Sequence, residues 1–133
     1  MKALVVDDSI TMRVMLRHVL TQNGFSVTEA ANGSDAMKAL VSGELPDLIT
    51  LDWNMPVMNG GATLEAIRQN HAYDHIKVLV VSSETERSMV ADALRYGTDD
   101  YLMKPFSLDA FYEKIELLGF CLHNAGTQNG GRS

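Results

Sequence analysis

The chain has 133 residues, 46% hydrophobic and 21% charged, which suits one folded domain with its own core and is too apolar for general disorder. A net charge of -6 weighs against nucleic acid as a partner, because phosphate backbones are bound by surplus Lys and Arg. The lone Cys121 excludes an internal disulfide framework and a cysteine-cluster metal site, and no apolar run approaches the ~20 residues that span a bilayer.

Ala3–Val6 is a short apolar run stopped by Asp7 and Asp8, too short for a signal peptide, and it reads as a buried strand in a cytoplasmic protein. Met12, Met15, Leu16, Val19 and Leu20 then recur at helical spacing until Asn23-Gly24, and either Asp8 or Ser9 is placed to cap that helix. Phe25–Ala30 is a weaker second strand. Ala36, Met37, Leu40 and Val41 mark a second helix closed by Ser42-Gly43 and Pro46. Leu48–Leu51 is the third strand, with Asp52 at its end. A loop rich in breakers follows (Asn54, Pro56, Asn59, Gly60, Gly61), then a helix carrying Leu64 and Ile67. Val78–Val81 is the clearest strand, being wholly aliphatic. Met89, Val90, Ala93 and Leu94 give a fourth helix stopped at Gly97, and Tyr101–Met103 a fifth strand before Lys104-Pro105. Leu108, Phe111, Tyr112, Ile115 and Leu118 form the stripe of a last helix. Residues 1–121 read as the domain. Residues 122–133, Gly- and Asn-rich without apolar periodicity, read as a disordered tail.

Short strands alternating with helices predict a parallel sheet covered on both faces. In such a sheet all strands end on one side, and open α/β sheets bind ligands there. Asp7, Asp8, Asp52, Ser82 and Lys104 all fall at predicted strand ends. Packed carboxylates repel one another unless a cation offsets them. Magnesium suits them, taking oxygen ligands and often only one or two carboxylates plus a phosphate. Asp52 is then free to act as a carboxylate nucleophile toward phosphorus, with Lys104 and Ser82 neutralising equatorial oxygens. Each residue also has a plainer use. Ser82 suits the N-cap of the fourth helix, and Lys104 suits a solvated surface. What separates the readings is that all five share one predicted edge.

The same residues carry a resemblance. Asp7-Asp8, Asp52, Ser82 and Lys104-Pro105, within V-V-D-D-S, L-D-W-N-M-P-V-M-N-G and G-T-D-D-Y-L-M-K-P-F, resemble the signature of the response regulator receiver domain over about residues 2 to 119. The resemblance implies a flavodoxin-like (βα)5 doubly wound sheet of order 2-1-3-4-5, the order known from flavodoxin and CheY. It implies Asp52 as phosphoacceptor from a histidine kinase or histidine phosphotransfer domain. Asp7, Asp8, Asp52 and the Asn54 carbonyl would hold Mg2+, with Ser82 and Tyr101 as switch residues and Lys104 as phosphoryl partner. Lys104-Pro105 is expected to be a cis peptide.

Trp53 after the acceptor, and T-M-R after the acidic pair, look most like the single-domain, CheY-like chemotaxis type. Asn54 and Glu84, each two residues past a key position, are expected to tune dephosphorylation. Ser82 stands where Thr is commoner, Ser83 where Ala is frequent and Asn59 where Asp is usual; the first two keep the small volume that donor access requires. The output partner is expected on the face of helix four, strand five and helix five around Val90, Ala91, Leu94, Arg95 and Tyr101. The donor is expected near Thr11, Met12 and Met15.

The protein is expected to accept and lose its own phosphoryl group without being a turnover enzyme. An aspartate-nucleophile phosphatase would need an acidic residue where Ser9 stands, two positions beyond Asp7. An unphosphorylated interaction module would be expected to have lost an acidic residue or the lysine. A dinucleotide site would need G-x-G-x-x-G after the first strand, which is absent.

Overall fold

The computed structural model describes residues 1–83 and 87–122. Strands β1 (Lys2–Val6), β2 (Ser26–Ala30), β3 (Leu48–Asp52), β4 (Lys77–Ser82) and β5 (Asp100–Met103) alternate with helices α1 (Ile10–Gln22), α2 (Gly33–Ser42), α3 (Gly60–Gln69), α4 (Arg87–Arg95) and α5 (Leu108–Leu117). A single turn of 3-10 helix, His71–Tyr73, precedes β4 and has no counterpart in the sequence reading. The strands form one parallel sheet in the order β2-β1-β3-β4-β5, as the resemblance implied.

Alternate residues of the inner strands feed two cores. Leu4, Val6, Ile49, Leu51, Val78 and Val80 pack against α2, α3 and α4 through Ala36, Leu40, Leu64, Ile67, Met89 and Ala93. Ala3, Val5, Leu48, Leu79 and Val81 pack on the opposite face against α1 and α5, through Leu16, Val19, Leu20, Phe111, Tyr112 and Ile115. All five residues of β3 are buried, which explains its unbroken apolar run, while the edge strand β2 alternates and so reads weakly. Ser9, Asn32, Asn59 and Ser107 cap α1, α2, α3 and α5, each side chain accepting a first-turn backbone N–H.

Several local expectations need correcting. Gly60 and Gly61 lie in the first turn of α3, because Asn59 caps that helix and starts it earlier than the loop reading allowed. Val41 and Leu94 are 78% and 57% exposed, so each helix buries a narrower stripe than its apolar residues mark out. Met12 and Met15 pack against the α1–α5 core, as their helical spacing implied, and Ile10 and Val14 on the same helix face solvent. Phe25 lies outside β2 and is buried by edge contact with Phe120, beyond α5. The predicted tail falls outside the described residues except for Leu122, which packs on the α1–α5 core.

Among the described residues, one buried side-chain polar group is left over. The Thr50 hydroxyl, in the middle of β3 between Val5 and Leu79, is buried with no hydrogen-bond partner. A buried unsatisfied hydroxyl costs stability that an isosteric methyl does not. Thr50→Val should therefore raise the unfolding free energy by about 1 kcal/mol in urea denaturation. A drop in the midpoint at unchanged slope would mean that the hydroxyl has a partner.

Candidate phosphoacceptor and metal site

The parallel sheet brings the strand ends together as the sequence reading required. Asp7 directly follows β1 and is buried, Asp8 beside it is exposed, and Asp52 closes β3 at 6% exposure. Each of the three offers a carboxylate oxygen, and these oxygens lie within 4.8 Å of one another. Lys104, just past β5, reaches back across the sheet. Its Nζ donates to Asp7 Oδ2 at 2.9 Å and stands 3.6 Å from Asp52 Oδ1. It is therefore no solvated surface lysine. A hydrogen bond from the Lys104 N–H to the Ser82 carbonyl, 2.8 Å, fastens the end of β5 to that of β4.

Asp7 is the most tightly held member. Its Oδ1 accepts the Ser9 N–H at 2.9 Å, its own N–H donates to the Ala30 carbonyl, and its carbonyl accepts Arg13 Nη1 at 2.6 Å. Ser9 rather than Asp8 caps α1, so Asp8 is spared for the cluster. Arg13 carries no sequence signal, since its role depends on how α1 lies across the sheet.

Asp52 titrates abnormally. Burial foremost, and then the Asp7 charge, push its carboxyl up to about 6; Lys104 opposes this, and Asp8 adds to it through a hydrogen bond and its charge. Three carboxylates with no His or Cys in the group form an all-oxygen donor set with more negative charge than one lysine offsets. Such a set fits a hard divalent cation, magnesium in particular.

The loop after Asp52 packs closely on the end of β3. Trp53 is half-buried and packs on the α2–α4 core, Asn54 is exposed and Met55 is buried. Gly60 closes the loop by donating its N–H to the Trp53 carbonyl at 2.9 Å. A Cβ at Gly60 would run into the Asp52 carbonyl and come 2.7 Å from Trp53 Cα, so only glycine lets α3 start against the acceptor strand. In the same loop Val57 holds φ 69 at 84% exposure, a left-handed backbone unusual for a β-branched residue.

Ser82 is buried at the end of β4, and its expected capping of α4 (Arg87–Arg95) falls on the segment outside the described residues. Tyr101 is half-buried against the α2–α4 core, with Lys114 Nζ 5.7 Å from its ring centroid and ion-paired to Asp100 at 3.0 Å. The Lys104–Pro105 peptide is cis. Glu84 lies outside the described residues.

The model of the response regulator receiver domain family matches residues 3–116. The chain belongs to that family. This receiver is 41% identical over 117 residues to the chemotaxis protein CheY of Pseudomonas aeruginosa, an alignment covering 87% of this chain and 94% of the relative. A CheY homolog of Campylobacter jejuni is 38% identical over 117 residues, covering 87% and 90% of the two chains. Among solved structures, chemotaxis protein CheY4 of Vibrio cholerae superposes with a TM-score of 0.81 at 32% identity, covering 88% of this chain and 97% of that one. The receiver domain of the Francisella response regulator 1452 gives 0.77 at 30% identity, covering 88% and 94%. None of the receiver's described helices is long and apolar enough to cross a membrane.

The raised Asp52 carboxyl has a testable consequence for the metal-free receiver. A carboxyl whose folded pKa lies above its ordinary value of 3.8 favours folding below that value and loses the contribution as pH rises through about 6. In EDTA, Asp52→Asn should therefore be more stable than wild type at pH 8. The difference should shrink as pH falls from about 7 toward 4, followed by thermal unfolding across that range. A pH-independent difference would argue against an ionised, repelled Asp52.

Proposed function

We propose that the protein is a stand-alone receiver of a two-component phosphorelay, acting in the cytoplasm and in chemotaxis. It takes a phosphoryl group from a phosphohistidine of a histidine kinase or histidine phosphotransfer domain onto Asp52. The observation that carries this reading is Lys104 Nζ seated between Asp7 and Asp52 beside a three-carboxylate cluster. An acceptor carboxylate, an all-oxygen metal site and a lysine ammonium meet at one strand edge, as in-line phosphoryl transfer requires.

Asp7, Asp8, Asp52 and the Asn54 carbonyl would hold Mg2+, which supplies neutralisation of the phosphoryl oxygens and of the carboxylates around them. The chain's own residues do the rest. A carboxylate oxygen of Asp52 attacks phosphorus, a P–O bond forms as the P–N bond to the donor histidine breaks, and the imidazole leaves with the bonding pair. Lys104 then exchanges part of its pairing with Asp7 for a phosphoryl oxygen, and the Ser82 hydroxyl donates to another. Return of the phosphoryl group to water, tuned by Asn54 and Glu84, would complete a self-catalysed cycle without turnover on an outside substrate.

Phosphorylation adds nearly two negative charges at a buried site. Ser82 and Lys104 would respond first, and Tyr101, two strand positions before Met103, would carry the change to the α4–β5–α5 face. There Leu94, Ala91 and Arg95 are exposed beside half-buried Val90 and Tyr101, a surface suited to a downstream protein partner. The names of the CheY relatives support the chemotaxis assignment. Ser9, at the position where an aspartate-nucleophile phosphatase would need its acid, is occupied in capping α1, which weighs against that alternative.

Incubation with acetyl phosphate and Mg2+ should give a phosphoryl adduct that peptide mass spectrometry maps to Asp52, absent from Asp52→Asn and from an EDTA control. Absence of any adduct in the wild type would leave the unphosphorylated interaction module as the better account. Tyr101→Ala should leave the adduct yield unchanged but reduce the phosphorylation-dependent gain in partner affinity, ordinarily about 1–3 kcal/mol, by isothermal titration against the cognate partner. An undiminished gain would remove Tyr101 from the switch.

A further inference from the structure

Arg13 stands outside the acidic cluster yet grips its backbone. From the first turn of α1, its Nη1 donates to the Asp7 carbonyl at 2.6 Å, while its Nε donates to Glu29 Oε1 at 3.2 Å on the edge strand β2. Glu29 is held in turn by Arg17, whose Nη1 lies 2.9 Å from Oε2. The Arg13 side chain is only 15% exposed, so this is a largely buried fork and not a surface ion pair.

The gripped carbonyl belongs to the Asp7–Asp8 peptide. On the other side of Asp7, its N–H is bound to the Ala30 carbonyl at the end of β2. The strand end is thus held from both sides, and the plane of the Asp7–Asp8 peptide sets the direction in which exposed Asp8 leaves the backbone. Asp8 must point toward Asp7 and Asp52 against their repulsion to bring its oxygen within 4.8 Å of theirs.

We propose that Arg13, steadied by Glu29, is a positioning residue of the acidic centre: its bond to the Asp7 carbonyl aims the Asp7–Asp8 pair at the metal. The inference rests on the reading of these carboxylates as the Mg2+ ligands. Positioning and charge make opposite demands. Coulomb's law alone says that a fixed guanidinium near the site repels Mg2+, so removing it should tighten binding. Aiming the ligands says that removing it should weaken binding, and loss of a group that orients metal ligands costs about 10–100-fold in affinity.

The test is a Mg2+ titration at constant ionic strength, read by the fluorescence of Trp53, the chain's single tryptophan, which follows Asp52 directly. Arg13→Met removes the donor and the charge while keeping the apolar stem, and should weaken Mg2+ binding about tenfold. Arg13→Lys keeps the charge but cannot span the Asp7 carbonyl and Glu29 together, and should fall between. Equal or tighter binding by Arg13→Met overturns the proposal. Should that variant not fold, Arg13→Lys decides alone, and wild-type affinity there overturns it. A wild type that gives no Mg2+ response removes the metal reading and this inference with it. A responsive wild type with an indifferent Arg13→Met removes only the latter.

Discussion

The repulsion among Asp7, Asp8 and Asp52 is the constraint on which the functional end of this molecule depends. Three carboxylate oxygens within 4.8 Å of one another, two of the residues buried, are tolerable only beside a positive charge. Lys104 supplies part of it from the far side of β4, and its reach across the sheet links the ends of β1, β3 and β5. Burial first, and the remaining deficit after it, push the Asp52 carboxyl up to about 6. The same deficit fits the site to a divalent cation.

Such a cluster needs a rigid frame, and the sheet provides one. Cores on both faces leave the inner strands no freedom to separate, and Gly60 lets α3 press against the acceptor strand without a Cβ between them. Away from the site, Arg68 of α3 donates to the carbonyls of Gly97, Tyr73 and Ile76 and pairs with Asp99. Those bonds fasten the far end of α4 to the body of the domain.

Periodicity carried most of the fold. Val78–Val81 and Leu48–Leu51 were legible because inner strands of a parallel sheet are buried on both faces and need no polar alternation. Helices were legible in type but not in orientation. Met12 and Met15, read from their spacing as part of the apolar stripe and placed near the expected donor, lie half-buried against the α1–α5 core, while Ile10 and Val14 are exposed, because one apolar stripe in a sequence allows several rotations of a helix on its sheet. The start of α3 was hidden by Gly60 and Gly61, whose usual meaning as breakers is overridden by the Asn59 cap and by close packing on Asp52 and Trp53.

The sequence by itself determined the chemistry: an acidic pair, a lone Asp, a small hydroxyl and a lysine at successive strand ends, since residue type and strand order are both written along the chain. Only the tertiary structure decided which of these touch. It set Lys104 on Asp7 at 2.9 Å and nearer to it than to Asp52, and brought Arg13 of α1 and Glu29 of β2 to the back of the acidic pair. These contacts join residues distant in the chain, and their distances follow from how the helices pack on a twisted sheet. No local pattern encodes that geometry.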